Sequence, residues 1–157
     1  MDLIVVALLW FGSIRQAPLI ERPIPQKSLV GNIQDSRIPD GCGCYFRFRH
    51  ISPNAERYLF FSSVEENAEK EAWMNLDGRD TRLGLVWKRD GNRRERIGNR
   101  SSRKYAAGGI VVNAVYVITA VCRRDDENCE STDYAATFTV KKGKRRQIVK
   151  ATGGCGC

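Results

Sequence analysis

From residue 42 onward, hydrophobic and polar positions alternate. Cys42, Cys44, Phe46 and Phe48 share one side of an extended chain, and Tyr45, Arg47 and Arg49 share the other. A period of two marks a strand with one buried face. The pattern recurs along the chain. Residues 57–62 (Arg-Tyr-Leu-Phe-Phe-Ser) and 72–76 read as strands, and Asp77-Gly78 follows as a hairpin dipeptide. Residues 81–88 return with Leu83, Leu85 and Trp87 on one face, ending at a second such dipeptide, Asp90-Gly91. Residues 93–97 and 104–107 are short, weak strands separated by Gly98-Asn99-Arg100-Ser101-Ser102. Residues 110–122 are dense in Val, Ile and Tyr, the composition of the strongest strand. Residues 131–141 alternate Tyr134, Ala136, Phe138 and Val140 against Thr137 and Thr139, and residues 147–152 form the final strand.

The acidic stretch 64–70 is a loop or a single helical turn. Short turns joining about seven or eight strands predict an all-β domain, a single antiparallel barrel or sandwich. Phe46, Phe48, Trp73, Trp87, Tyr116, Val121 and Phe138 are its expected core. The domain spans residues 41–157. Residues 18–40 carry Pro18, Pro23, Pro25 and Pro39 and read as a linker. Residues 1–17 hold an unbroken apolar run from Leu3 to Phe11. Nine residues are too few to span a bilayer, which takes roughly 20, so the chain is not read as a transmembrane protein. The run fits the core of a secretory signal peptide, with Ala17 as the small residue after it. Asp2 stands where a basic residue is expected, which a translation start upstream of Met1 would explain.

Six cysteines sharpen the picture. Gly-Cys-Gly-Cys occurs at residues 41–44 and again at residues 154–157, bracketing the domain. Cys-x-Cys in extended chain points both sulfurs to one face. Two such strands side by side and antiparallel would set Cys42 opposite Cys157 and Cys44 opposite Cys155. Cys122 and Cys129 flank a six-residue loop between two strong strands and are expected to bridge its mouth. Disulfides and an apolar leader together predict export to a periplasmic or extracellular space. The alternatives are free or mixed thiols, or a four-thiolate metal site at Cys42, Cys44, Cys155 and Cys157, as zinc or Cu(I) would take. The metal site lacks the usual Cys spacing, and the chain has one histidine.

The net charge is +8, unevenly spread. Residues 81–104 hold nine Lys/Arg against Asp90 and Glu95, and residues 141–150 hold six with no acid. Arg89, Arg93, Arg94, Arg96, Arg100, Arg103 and Lys104, interleaved with Trp87 and Tyr105, have the composition of an anion-binding surface. The expected partner is an anionic polymer, an envelope surface or a protein. Solvated hairpins are the competing reading of the same arginines. Catalysis is harder to build. His50 stands at a strand end, and no Gly-x-Ser-x-Gly, phosphate loop or His-Glu-x-x-His is present. Glu65, Glu66, Glu69 and Glu71 read as a solvated face. Asp125-Asp126-Glu127-Asn128 lacks the spacing and glycine of a calcium loop. We read no catalytic residue and no cofactor.

The stretch 41–80, with Gly-Cys-Gly-Cys-Tyr-Phe and Ala-Trp-Met-Asn-Leu-Asp-Gly-Arg-Asp, and the ending Ala-Thr-Gly-Gly-Cys-Gly-Cys resemble small exported bacterial β-domain proteins of unassigned function. That resemblance covers most of residues 41–157 and implies export and a compact β-domain. Ser101-Ser102-Arg103-Lys104-Tyr105 is similar to the Ser-Gly-x-Arg/Lys-Tyr loop of periplasmic C-type lysozyme inhibitors, without its glycine. It implies a hydrolase inhibitor, although a basic chain is a poor match for a cationic lysozyme.

Overall fold

A computed structural model of the chain describes residues 27–34, 41–52, 57–63, 70–91, 95–122 and 129–157. Among these, nine strands run in order: β1 (Val30–Gly31), β2 (Gly43–Phe48), β3 (Phe60–Ser63), β4 (Glu71–Leu76), β5 (Arg79–Arg89), β6 (Arg100–Ala107), β7 (Ile110–Ala120), β8 (Ser131–Lys142) and β9 (Arg145–Gly156). Strands β2 to β9 pair antiparallel in the order β4-β3-β2-β9-β8-β7-β6-β5, and β4 also pairs β5. That last pairing closes an eight-stranded barrel, with β1 as an extra strand on β4. No helix occurs among the described residues.

Alternation fills the interior. Phe46, Phe60, Tyr105, Tyr116 and Phe138 are buried together, with Phe46 stacked on Tyr116 at 4.9 Å between ring centroids. Val112, Val140, Leu83 and Met74 fill the gaps between the rings. The expected core is corrected at three positions. Trp73 is half-buried on the outer face of β4, Val121 is half-buried, and Trp87 is 45% exposed. Trp87 comes out because the β5–β6 register shifts between Leu85 and Trp87. A bulge of this kind sets two residues against one and breaks the alternation.

The two ends of the barrel differ. At one end the strands join through tight turns at Asp77-Gly78, Gly108-Gly109 and Gly143-Lys144. Asp77 and Gly78 both have positive φ (53° and 82°), as the primed two-residue turn requires. Residues 28–34, inside the stretch read as linker, dock here. Leu29 and Val30 are buried, and Gln147 Oε1 accepts from the Leu29 and Val30 amides at 2.6 and 3.2 Å. Burial of these two residues, pairing of β1 with β4 and the Gln147 bonds together hold this segment against the barrel.

At the opposite end lie the β3–β4, β5–β6 and β7–β8 connections. All three disulfides lie there, Cys42–Cys157, Cys44–Cys155 and Cys122–Cys129. Gly43 pairs Gly156 and Cys44 pairs Cys155, so the two Gly-Cys-Gly-Cys copies tie the first barrel strand to the last. The Asp90-Gly91 dipeptide does not close a tight hairpin, because β6 begins only at Arg100. Residues 95–97 are not strand, while Arg100–Ala107 is one continuous strand rather than a short segment after a separator. Pairing on both flanks, to β5 and β7, sustains it where local propensity does not.

Candidate anion-binding face at the cystine end

The predicted cations divide by strand parity. Along β6, Ser101, Arg103 and Tyr105 turn to the barrel interior, whereas Arg100, Ser102 and Lys104 turn outward. Lys104 lies across from Trp87, and Ser102 across from Arg89. Outward residues therefore set Lys104 opposite Trp87 and Arg89 one outward step along the same face, while Arg100 lies beyond the last β5–β6 pair and also lines the barrel mouth. Arg96 lies nearby in the 95–99 connection, exposed. None of Arg89, Arg96, Arg100 and Lys104 has a side-chain hydrogen bond or ion pair among the described residues. Arg93 and Arg94 lie outside the described residues.

Arg103 does not belong to this face. Its guanidinium enters the barrel mouth, with its side chain only 20% exposed. Nη2 pairs with Asp90 at 3.0 Å, and the group lies 5.8 Å from the Tyr116 ring centroid. Nη1 is buried with no hydrogen-bond partner among the described residues. The mouth is a cavity of about 330 Å³ bounded by Asp90, Glu95, Asn99, Arg103, Ile118 and Tyr134. Glu95 accepts from the Thr132 hydroxyl at 3.1 Å, and Gly98 N donates to Ile118 O at 2.8 Å, so the connection is tied over this opening. Burial pushes the Tyr116 hydroxyl well above the ordinary tyrosine range, reinforced by Tyr105 and opposed by Arg103. Burial also raises Tyr134, with the Glu95 carboxylate adding to the effect and Arg103 opposing it.

Sequence reasoning missed the apolar part of the outer face. Val86 is 56% exposed, Ile97 69% and Val115 37%. Val86 is the residue left out of the β5–β6 register, and a bulge has no signature in the period of a single strand. The inward turn of Arg103, by contrast, could have been read from its spacing of two from Tyr105.

All six cysteines are cystines, and no free cysteine occurs, so none offers a thiolate to a metal. His50 is exposed and lies beside Phe48 at 5.5 Å. Glu71 holds Arg82 in a two-pronged ion pair; Glu65, Glu66, Glu69 and residues 125–128 lie outside the described residues. The segment 101–105 that is similar to an inhibitor loop sits within β6, and its Tyr105 is 1% exposed. It offers a partner no protruding tyrosine. Compared with known proteins, the chain matches no family model, no curated protein and no solved structure.

Proposed function

We propose that this protein is a non-catalytic binding module of an exported, oxidising compartment, and that its outer β5–β6 face holds an anionic polymer. Three disulfides fit such a compartment. The observation that carries the ligand class is Trp87, turned out by the bulge beside Lys104 and Arg89, with Arg100 further along toward the barrel mouth, all three cations without carboxylate partners among the described residues. Cations beside an exposed aromatic suit a chain of charges with faces that stack. The exposed Val86, Ile97 and Val115 favour a protein partner as the second reading, since Trp and Arg set in an apolar surround are the usual anchors of protein interfaces.

The test is binding of a single-stranded oligonucleotide and of heparin across a salt series. Each cation that contacts the polymer adds about −0.7 to the slope of log K against log salt for a single strand. Reversing Arg89, Arg100 and Lys104 to Glu should flatten that slope by about 2. Reversing Lys141, Lys144 and Arg146 at the turn end is the control. Equal losses from both triples would mark a net-charge effect, and absence of binding near physiological salt would leave the protein-partner reading.

A further inference from the structure

On the other side of the barrel, a groove of about 660 Å³ crosses the outer faces of β2, β9 and β8 at the cystine end. Its floor is Gly43, Gly154 and Gly156, with Gly43 paired to Gly156 and Gly154 to Tyr45. These are three of the four glycines of the two Gly-Cys-Gly-Cys copies. The cysteines turn toward the interior, so the glycines turn outward. Glycine is required at two of these positions by the chain's own packing: Gly43 is buried, and a Cβ on it would lie 2.4 Å from Phe61 Cε2, while one on Gly156 would lie 2.2 Å from the Glu130 carbonyl oxygen.

The walls are chemically specific. One side carries Tyr45, Tyr58 and Arg47. The Arg47 guanidinium is held over the Tyr58 ring, 5.3 Å from its centroid, and its Nη1 is buried without a hydrogen-bond partner among the described residues. A buried donor left without an acceptor needs an explanation, and a ligand oxygen is one. The opposite side carries Ser131 and Asp133. Asp133 is exposed, and its carboxylate has no hydrogen bond or ion pair among the described residues. Its Oδ1 reaches to 3.3 Å from the point where a Gly154 Cβ would sit, so it faces the floor.

A free carboxylate, a cation with a spare donor and a tyrosine pair line the same groove. An anionic ligand would meet Asp133 and Glu130. An apolar one would strand both Arg47 and Asp133 without water. A neutral ligand rich in hydroxyls satisfies both: it donates to Asp133, accepts from Arg47, and lays its C–H face over the tyrosines and the backbone at Gly154. We propose that this groove binds a neutral oligosaccharide. The site is independent of the β5–β6 face and uses none of its residues.

The test is an amide NMR titration of the intact, oxidised protein with cellohexaose, N-acetylchitohexaose, maltohexaose and xylohexaose. The expected result is saturable shifts of the Gly43, Gly154 and Gly156 amides with at least one of them. Asp133→Asn should weaken that binding roughly tenfold or more, the scale of a hydrogen bond to a charged group. Asp133 is exposed, so the variant should keep its fold, which the unshifted remainder of the spectrum checks. Arg47→Lys should also weaken it, because the fork geometry is lost. Trp87→Ala should leave it unchanged, which separates this site from the anion-binding face. No saturable shift with any of the four sugars at millimolar concentration, shifts confined to other strands, or full binding by Asp133→Asn would each overturn the proposal.

Discussion

Cys44 faces Cys155 across the β2–β9 pair, with their Cα atoms 4.0 Å apart. Cys42 and Cys157 bridge the same two strands one step further out. Both bonds close nearly the same loop, of sequence separation 111 and 115. In a chain-entropy account, closing a loop of that length contributes about 4–5 kcal/mol. The second bond adds little, because the first has already removed that freedom. Replacing Cys42 and Cys157 with Ser should therefore change urea stability slightly. Replacing all four should cost the larger amount. Cys122–Cys129 closes a short loop, and its removal should cost roughly 2–3 kcal/mol. Alkylation of the native protein, read by intact mass, should find no free thiol. Four or more reactive thiols would contradict the pairing.

The interior and the bulge make opposite predictions for large aromatics. Phe46 and Phe138 are fully buried, and truncating either to Ala should cost about 3–5 kcal/mol. Trp87→Ala on the outer face should stay within about 0.5 kcal/mol. A large loss at Trp87 by denaturant titration would place it back in the core and remove it from the proposed ligand face.

Glycines in strands should separate by what lies beyond them. A Cβ on Gly153 would fall 1.9 Å from the Tyr45 carbonyl oxygen, so Gly153→Ala has to move a strand and should cost roughly 1–3 kcal/mol. A Cβ on Gly84 would meet only the Ala106 carbonyl oxygen, at 3.8 Å. Gly84→Ala should be neutral or stabilising by about 0.5–1 kcal/mol, through the lower entropy of the unfolded chain. Melting temperatures of the two variants decide.

Asp77 gives the acid limit. Lys142 Nζ and Arg145 Nη1 donate to its two carboxylate oxygens at 2.6 and 2.9 Å, and these bonds hold its pKa below the ordinary value of 3.8. A depressed carboxylate stabilises the fold in full above its unfolded pKa. That contribution is lost as pH falls through the lower, folded value. Asp77→Asn should melt earlier than the wild type at neutral pH, and the two curves should converge in strong acid. A gap that persists there would mean that the loss is steric.

For the proposed ligand face, the contribution of Trp87 is separable from charge. If bases stack on it, Trp87→Ala should weaken oligonucleotide binding by about 1–3 kcal/mol. Heparin, which has no π-face, should lose far less. Equal losses in fluorescence titrations with the two polymers would mean that Trp87 acts only by shaping the surface.

The chain alone determined whatever follows from period and spacing. Alternation along residues 42–49, 110–122 and 131–141 placed Phe46, Tyr116 and Phe138 inside. Cys-x-Cys in extended chain put two sulfurs on one face and left disulfides and a four-thiolate metal site both open. These are local properties of a pleated backbone. Only tertiary structure decided the rest. Closure of the barrel depends on β4 pairing β5 as well as β3. The length of β6 depends on neighbours at both edges, because its own residues are mostly polar. Leu29 and Val30 leave an apparent linker because the barrel end offers them Gln147 and an apolar floor. Trp87 is outside because one unpaired residue, Val86, shifts the register against a partner strand that the period of β5 does not encode. Of the candidate sites, only the cluster of cations was legible as composition. Its division between an outer face and the barrel mouth, and the glycine groove itself, arise where several strands meet.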